Sequence, residues 1–150
     1  MKLTSTAFSE GGMIPKQYAY KDKNLSPPLA WSDVPPGTKS FALICDDPDA
    51  PRKDPWVHWV IFNIPADRRE LPEGVKAEKI GAKQGTNDYK EIGYGGPAPP
   101  SGTHRYYFKL YALDTMLDLK EGATKQELEA AMNGHVLAKA ELMGKFAAGK

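Results

Sequence analysis

Cysteine is nearly absent from this 150-residue sequence: Cys45 stands alone, inside the apolar run Phe41-Ala42-Leu43-Ile44-Cys45. It cannot form an internal disulfide, and it reads as a buried small hydrophobe rather than a reactive thiol. An oxidising compartment is therefore not indicated. Charge of one sign is also lacking, since 20 Lys and Arg face 19 Asp and Glu for a net charge of +1. Like charges gather only in pairs such as Asp46-Asp47 and Arg68-Arg69. A protein that neutralises many phosphates needs clustered cations, so a nucleic-acid role is excluded from the expectations. No apolar run exceeds five residues, too short for a membrane-spanning helix, and stable membrane insertion is not expected. The opening Met1-Lys2-Leu3-Thr4-Ser5-Thr6 has no apolar h-region, so a signal peptide is not expected and the cytoplasm is the default location. Repeats and low-complexity tracts are missing too, as is the strand–helix alternation of a parallel sheet.

What is present suits one domain over residues 1–150, long enough to bury roughly 70% of its unfolded surface without a staple. Fourteen Gly and 13 Pro punctuate the chain. Proline fixes φ and removes a ladder donor, so the proline-dense first third reads as short strands joined by turns. Three segments carry strand patterns: Ser40–Cys45, Val57–Ile64 and Arg105–Leu113. Val57–Ile64 is apolar on both faces, as befits a central covered strand. In the last quarter Thr124-Lys-Gln-Glu127 is a capping box that predicts a short helix ending near Asn133-Gly134. A second helix is predicted from about His135 to Phe146, with Val136, Ala140 and Met143 on one stripe. The expected fold is mainly β, an antiparallel sheet core with two terminal helices.

Side chains alternate across a strand. His104 and Tyr106 then open the row Phe108, Leu110, Ala112. His58 opens the row Val60, Phe62, Ile64, and Asp47 follows Phe41, Leu43 and Cys45 in register. Each is a polar group at the end of an apolar row. If the strands flanking Asp47–Trp56 are antiparallel neighbours, Asp47 and His58 meet at one end of the sheet; periodicity leaves the direction of the third strand, and so the place of His104, open. A single histidine at a strand start is most often a hydrogen-bonded core residue, and His135 sits at a helix junction away from the others. Asp47-Pro48-Asp49-Ala50-Pro51 reads equally as a binding loop or as a turn whose carboxylates bond local amides. The stiff loop Gly95–Gly102 leaves the amides of Ala98, Ser101 and Gly102 free to face a ligand.

At these residues the chain resembles a known family. Asp47-Pro48-Asp49-Ala50-Pro51, His58 preceded by Trp56, and Gly102-Thr103-His104-Arg105-Tyr106 resemble the phosphatidylethanolamine-binding proteins, also called Raf kinase inhibitor proteins. Asn24–Trp31 and Gly134-His135-Val136-Leu137-Ala138 resemble the bacterial and archaeal branch. The resemblance implies two antiparallel sheets with peripheral helices. It also implies a pocket for phosphate, phosphorylethanolamine or similar anions at Asp47, His58, His104 and Tyr106, with Trp56 nearby and Ala98 on the rim loop. It implies a binding protein, not an enzyme, with no metal or cofactor, acting as monomer or homodimer on a small anionic ligand and regulating a protein partner such as a kinase or protease. The chemistry fits, for Tyr106 offers a hydroxyl, imidazoles offer N–H donors, and Asp47 can fix a histidine tautomer. The alternatives are a metalloenzyme with Asp47, His58 and His104 as ligands, and a hydrolase in which a histidine activates Ser101 or Ser26, although no Gly-x-Ser-x-Gly elbow is present.

Overall fold

The computed structural model describes residues 1–149. In chain order it contains β1 (Lys2–Thr4), β2 (Leu29–Ser32), β3 (Ser40–Asp47), β4 (Trp56–Pro65), β5 (Glu70–Leu71), α1 (Ala77–Ile80), β6 (Lys83–Gln84), β7 (Thr103–Leu113), α2 (Lys125–Met132) and β8 (Val136–Ala147). A three-stranded sheet has the order β1-β2-β5, a five-stranded sheet the order β6-β4-β3-β7-β8, and every pairing between these strands is antiparallel. The mainly β, two-sheet expectation holds, and the three predicted strands are present, extended at one or both ends. The capping box is also as predicted: Thr124 Oγ1 accepts from Glu127 N–H at 3.1 Å, and Glu127 Oε1 accepts from Thr124 N–H at 2.9 Å.

The second C-terminal helix is wrong. Residues 136–147 form β8, paired along β7 from Leu113↔Val136 to Thr103↔Ala147. Ala138, Ala140, Leu142, Gly144 and Phe146 turn toward the interior, while Lys139, Glu141 and Lys145 face out. A period of two was thus present beside the helical stripe. The residues themselves are good helix formers, and long-range pairing overrides that local preference. Gly144 fits this strand because an added Cβ would lie 2.6 Å from Ile14 Cγ1 and 2.7 Å from Phe8 Cε2.

The main core lies between the sheets. Leu3, Leu29, Trp31 and Leu71 of the small sheet meet Phe41, Leu43, Cys45, Trp59, Tyr106, Phe108 and Leu110 of the large one. The other face of the large sheet, with Ala42, Ile44, Val60 and Phe62, is covered by Leu128 and Met132 of α2 and by Leu117 and Ala123. Cys45 is buried, and desolvation pushes its thiol pKa well up.

Two register shifts in the β3–β4 ladder correct the expected face of His58. Cys45 pairs with Trp59 and Asp46 with Val57, so His58 is an extra residue without a partner in β3. Such a bulge resets the alternation. Val60 and Phe62 go to the α2 side and Ile64 to the inter-sheet core, so the three do not form one row with His58. The pairings Asp47↔Trp56 and Asp46↔Tyr107 also settle the direction of the third strand. The end of β3 and the starts of β4 and β7 lie together.

Candidate functional site

At this end of the sheet Asp47 and His104 form a buried pair, 3% and 6% exposed. His104 Nδ1 lies 2.6 Å from Asp47 Oδ2, and an ionised carboxylate only accepts, so Nδ1 carries the proton. Asp47 Oδ1 accepts from the Asp49 amide at 2.7 Å, which fixes the carboxylate and through it the imidazole plane.

His58 is tied to the loop. Its Nδ1 lies 2.7 Å from the Gly95 carbonyl, and its own carbonyl accepts from Gly95 N–H at 2.8 Å. A carbonyl oxygen can only accept, so this Nδ1 is protonated too. Burial lowers the His58 pKa from its usual value; the Gly95 bond and nearby Asp47 oppose that shift without cancelling it. Among the described residues neither Nε2 has a hydrogen-bond partner, and neither is among the sealed, unpartnered atoms. Each neutral imidazole therefore offers a lone pair at Nε2; it offers a donor there only as imidazolium.

Tyr106 sits behind the two imidazoles, edge-on to His58 at 5.1 Å between ring centroids and nearly parallel to His104 at 6.5 Å. Its hydroxyl is buried with no hydrogen-bond partner among the described residues, and burial raises the phenol pKa well above 10. The hollow in front measures about 310 Å³ and is lined by Asp47, His58, His104, Trp56 and Ala98, all expected, with Pro51, Pro99 and Pro100 supplying apolar wall. Tyr106 closes the hollow from behind without lining its surface. Of the three loop amides expected to face a ligand, only that of Ala98 belongs to a lining residue.

Tyr89 also lines the hollow and was not expected from the sequence. It meets Trp56 and His58 edge-on at 5.5 and 5.7 Å, stacks on Tyr20 at 3.9 Å, and donates its hydroxyl to the Gly96 carbonyl at 2.8 Å. A Cβ on Gly95 would run into the Tyr89 ring, so glycine there lets the phenol reach the loop. Its only sequence signal is the Asx turn of Asn87, whose Oδ1 accepts from Tyr89 N–H at 2.9 Å; that marks a turn but gives no direction toward the site.

Other candidates lie elsewhere. Asp49 pairs with Arg105, at 2.8 Å from Nη2 and 2.9 Å from Nε, and that guanidinium holds its pKa down at about 2. Asp49 lies outside the hollow, and the local-amide bond expected of a turn is made by Asp47, whose Oδ1 accepts from the Asp49 amide. Asp46 points to the opposite face and is clamped by Lys109 at 3.2 Å and Lys125 at 2.9 Å. His135, in the turn before β8, pairs with Asp114 at 2.8 Å away from the hollow. Neither Ser26 nor Ser101 lines it. Among the described residues no three His, Cys, Asp or Glu side chains are grouped to hold a metal ion, and no helix is long and apolar enough to cross a membrane.

The sequence matches a family model described as phosphatidylethanolamine-binding protein over residues 4–147. It is 54% identical over 152 residues to a UPF0098 protein of Methanothermobacter thermautotrophicus, covering 99% of this chain and 100% of that one. Among solved structures it is similar to a phosphatidylethanolamine-binding protein homolog from Chlamydia trachomatis, with 48% identity, a TM-score of 0.92, and 99% and 97% of the two chains covered. It is also similar to Escherichia coli YbcL, described as a member of the mammalian PEBP family, with 34% identity, a TM-score of 0.91, and 99% and 98% covered.

Proposed function

The chain belongs to the phosphatidylethanolamine-binding protein family, and from that premise we propose that its hollow binds a small anionic head group, with inorganic phosphate and phosphorylethanolamine the simplest members of the class. Two imidazoles whose Nδ1 atoms are engaged by Asp47 and Gly95, and whose Nε2 atoms are left open, carry the proposal. An imidazolium Nε2–H gives a charge-assisted bond to an anionic oxygen. Asp47 stabilises the charge on His104 and can accept from a ligand ammonium, while Trp56 and Tyr89 give the non-anionic part of the ligand an aromatic wall.

The protein acts as a binding module in the cytoplasm, and occupancy of the hollow governs its contact with a protein partner such as a kinase or protease. Binding is favoured over metal or serine chemistry because Asp47 and His104 bond each other and neither candidate serine reaches the hollow.

Calorimetric titration with phosphate and with phosphorylethanolamine tests this. The variant of choice is His58→Asn with His104→Asn, because an asparagine amide nitrogen can stand near the position of Nδ1 and keep the bonds to Gly95 and Asp47 while Nε2 is removed. Binding by the wild type and none by the folded double variant is expected. Undiminished binding by the variant refutes the site.

A further inference from the structure

We propose that His104 is a phosphoryl acceptor, its Nε2 taking a phosphoryl group from a phosphoramidate held in the hollow. This rests on the reading that phosphoryl groups enter the hollow, and it adds a covalent step.

A nucleophilic imidazole needs a lone pair at the reacting nitrogen, a fixed ring and a means of stabilising the positive charge that develops as the new bond forms. His104 has all three. Nδ1–H is engaged by Asp47 at 2.6 Å, so the lone pair is on Nε2. Asp47 is itself fixed by the Asp49 amide at 2.7 Å, which leaves the ring no freedom to turn over without breaking a buried bond. Carboxylate and imidazole side chains are 4% and 8% exposed, so solvent hardly screens the attraction that grows as the ring becomes cationic. The Nε2 lone pair of His58, on the same hollow, can accept from the ammonium end of the donor molecule.

In the step, the lone pair of His104 Nε2 attacks phosphorus and the Nε2–P bond forms. The P–N bond of the N-protonated phosphoramidate breaks, its electron pair leaving with the amine. The Nδ1 proton stays on the ring, shared with Asp47, and nothing is oxidised or reduced. A protein-borne phosphohistidine belongs to the same chemical class of donor.

The chain carries its own comparator. His135 Nδ1 lies 2.8 Å from Asp114 Oδ1, the same carboxylate–imidazole pair, but their side chains are 45% and 44% exposed and neither lines the hollow that holds His104. If the pair alone sufficed, His135 would react as fast as His104.

The experiment treats the full chain with phosphoramidate, follows phosphorylation by intact mass and peptide mapping, and identifies the isomer by phosphorus NMR. Phosphate binding is titrated on the same sample. The expected result is one phosphoryl group on His104 Nε2, added at least about tenfold faster than at His135, a modest share of what prealignment of reactants supplies. Added inorganic phosphate slows it. The folded His104→Asn variant gains none at position 104 and retains the slow reaction at His135. Modification of His104 no faster than of His135, or on Nδ1, overturns the inference. If phosphate binds and His104 stays unmodified, this inference fails while the binding reading stands. If phosphate does not bind either, both fail.

Discussion

Sulfate is a clean probe of the hollow because it stays a dianion across the pH range in which histidine titrates. Both Nδ1 protons are already engaged, one by Asp47 and one by Gly95, so every imidazole bond to sulfate requires a second proton on that ring. Burial lowers the His58 pKa, and in the empty hollow at neutral pH that ring is neutral. Each proton that must be captured on binding changes affinity by about tenfold, or about 1.4 kcal/mol, per pH unit above the histidine pKa. Use of the His58 imidazole therefore weakens sulfate roughly 100-fold over two pH units above its pKa. The sign for the free protein is opposite. A histidine whose folded pKa lies below its unfolded value contributes fully above about pH 6.5, and its contribution is lost as pH falls through the folded pKa. Acid thus weakens the empty protein while strengthening the complex. Calorimetry in two buffers of different ionisation heat counts the protons taken up, and titrations from about pH 5 to about pH 8, spanning the reference histidine pKa, give the slope. A flat affinity with no proton uptake refutes histidine donation outright.

Tyr106→Phe removes a buried hydroxyl that has no partner in the free protein. The variant should be as stable as wild type or gain up to about 1 kcal/mol, with phosphate affinity little changed because the hydroxyl does not line the hollow; a clear loss of stability in denaturation would reject this. Gly96→Ala would drive a methyl into the Tyr18 carbonyl while the Gly96 amide is held by Asn24 Oδ1 at 2.7 Å. A loss of about 1–3 kcal/mol is expected, the usual cost of overpacking, with weakened phosphate binding as the loop shifts; an unchanged melting curve would show that the loop relaxes freely. The Arg105 guanidinium keeps Asp49 ionised down to about pH 2, so the contribution of that pair is present above the unfolded carboxylate pKa and lost as pH falls through about 2. Arg105→Ala should therefore move acid unfolding to higher pH, and an unmoved acid transition would argue that this exposed pair contributes nothing.

Much of the site was legible because the large sheet is regular where it matters. In β7 a period of two runs without interruption, so His104 and Tyr106 could be placed on the face of Phe108 and Leu110 before any pairing was known. The meeting of Asp47 with the start of β4 followed from one short connection. The face of His58 was read on a false premise, for a bulge leaves no mark in hydrophobic alternation. The last strand was misread because Ala, Leu, Met, Lys and Glu satisfy both periods, and only the eleven-residue neighbour β7 decides between them. Tyr89 was invisible because its place depends on a turn and on two glycines that let a distant loop come close. The tautomers of the two histidines were also beyond the sequence, since they depend on which acceptor faces each Nδ1.

The unpaired position of His58 in the sheet has a further consequence. Its carbonyl accepts from the amide of loop residue Gly95, and no β3 residue stands opposite it in register. The imidazole holds the same loop, through Nδ1 and the Gly95 carbonyl at 2.7 Å, so one residue joins strand to rim by both backbone and side chain. An exchange that lacks a donor there would loosen the rim along with the chemistry, and only one that keeps it, such as asparagine, can retune what the cavity prefers without unseating its wall.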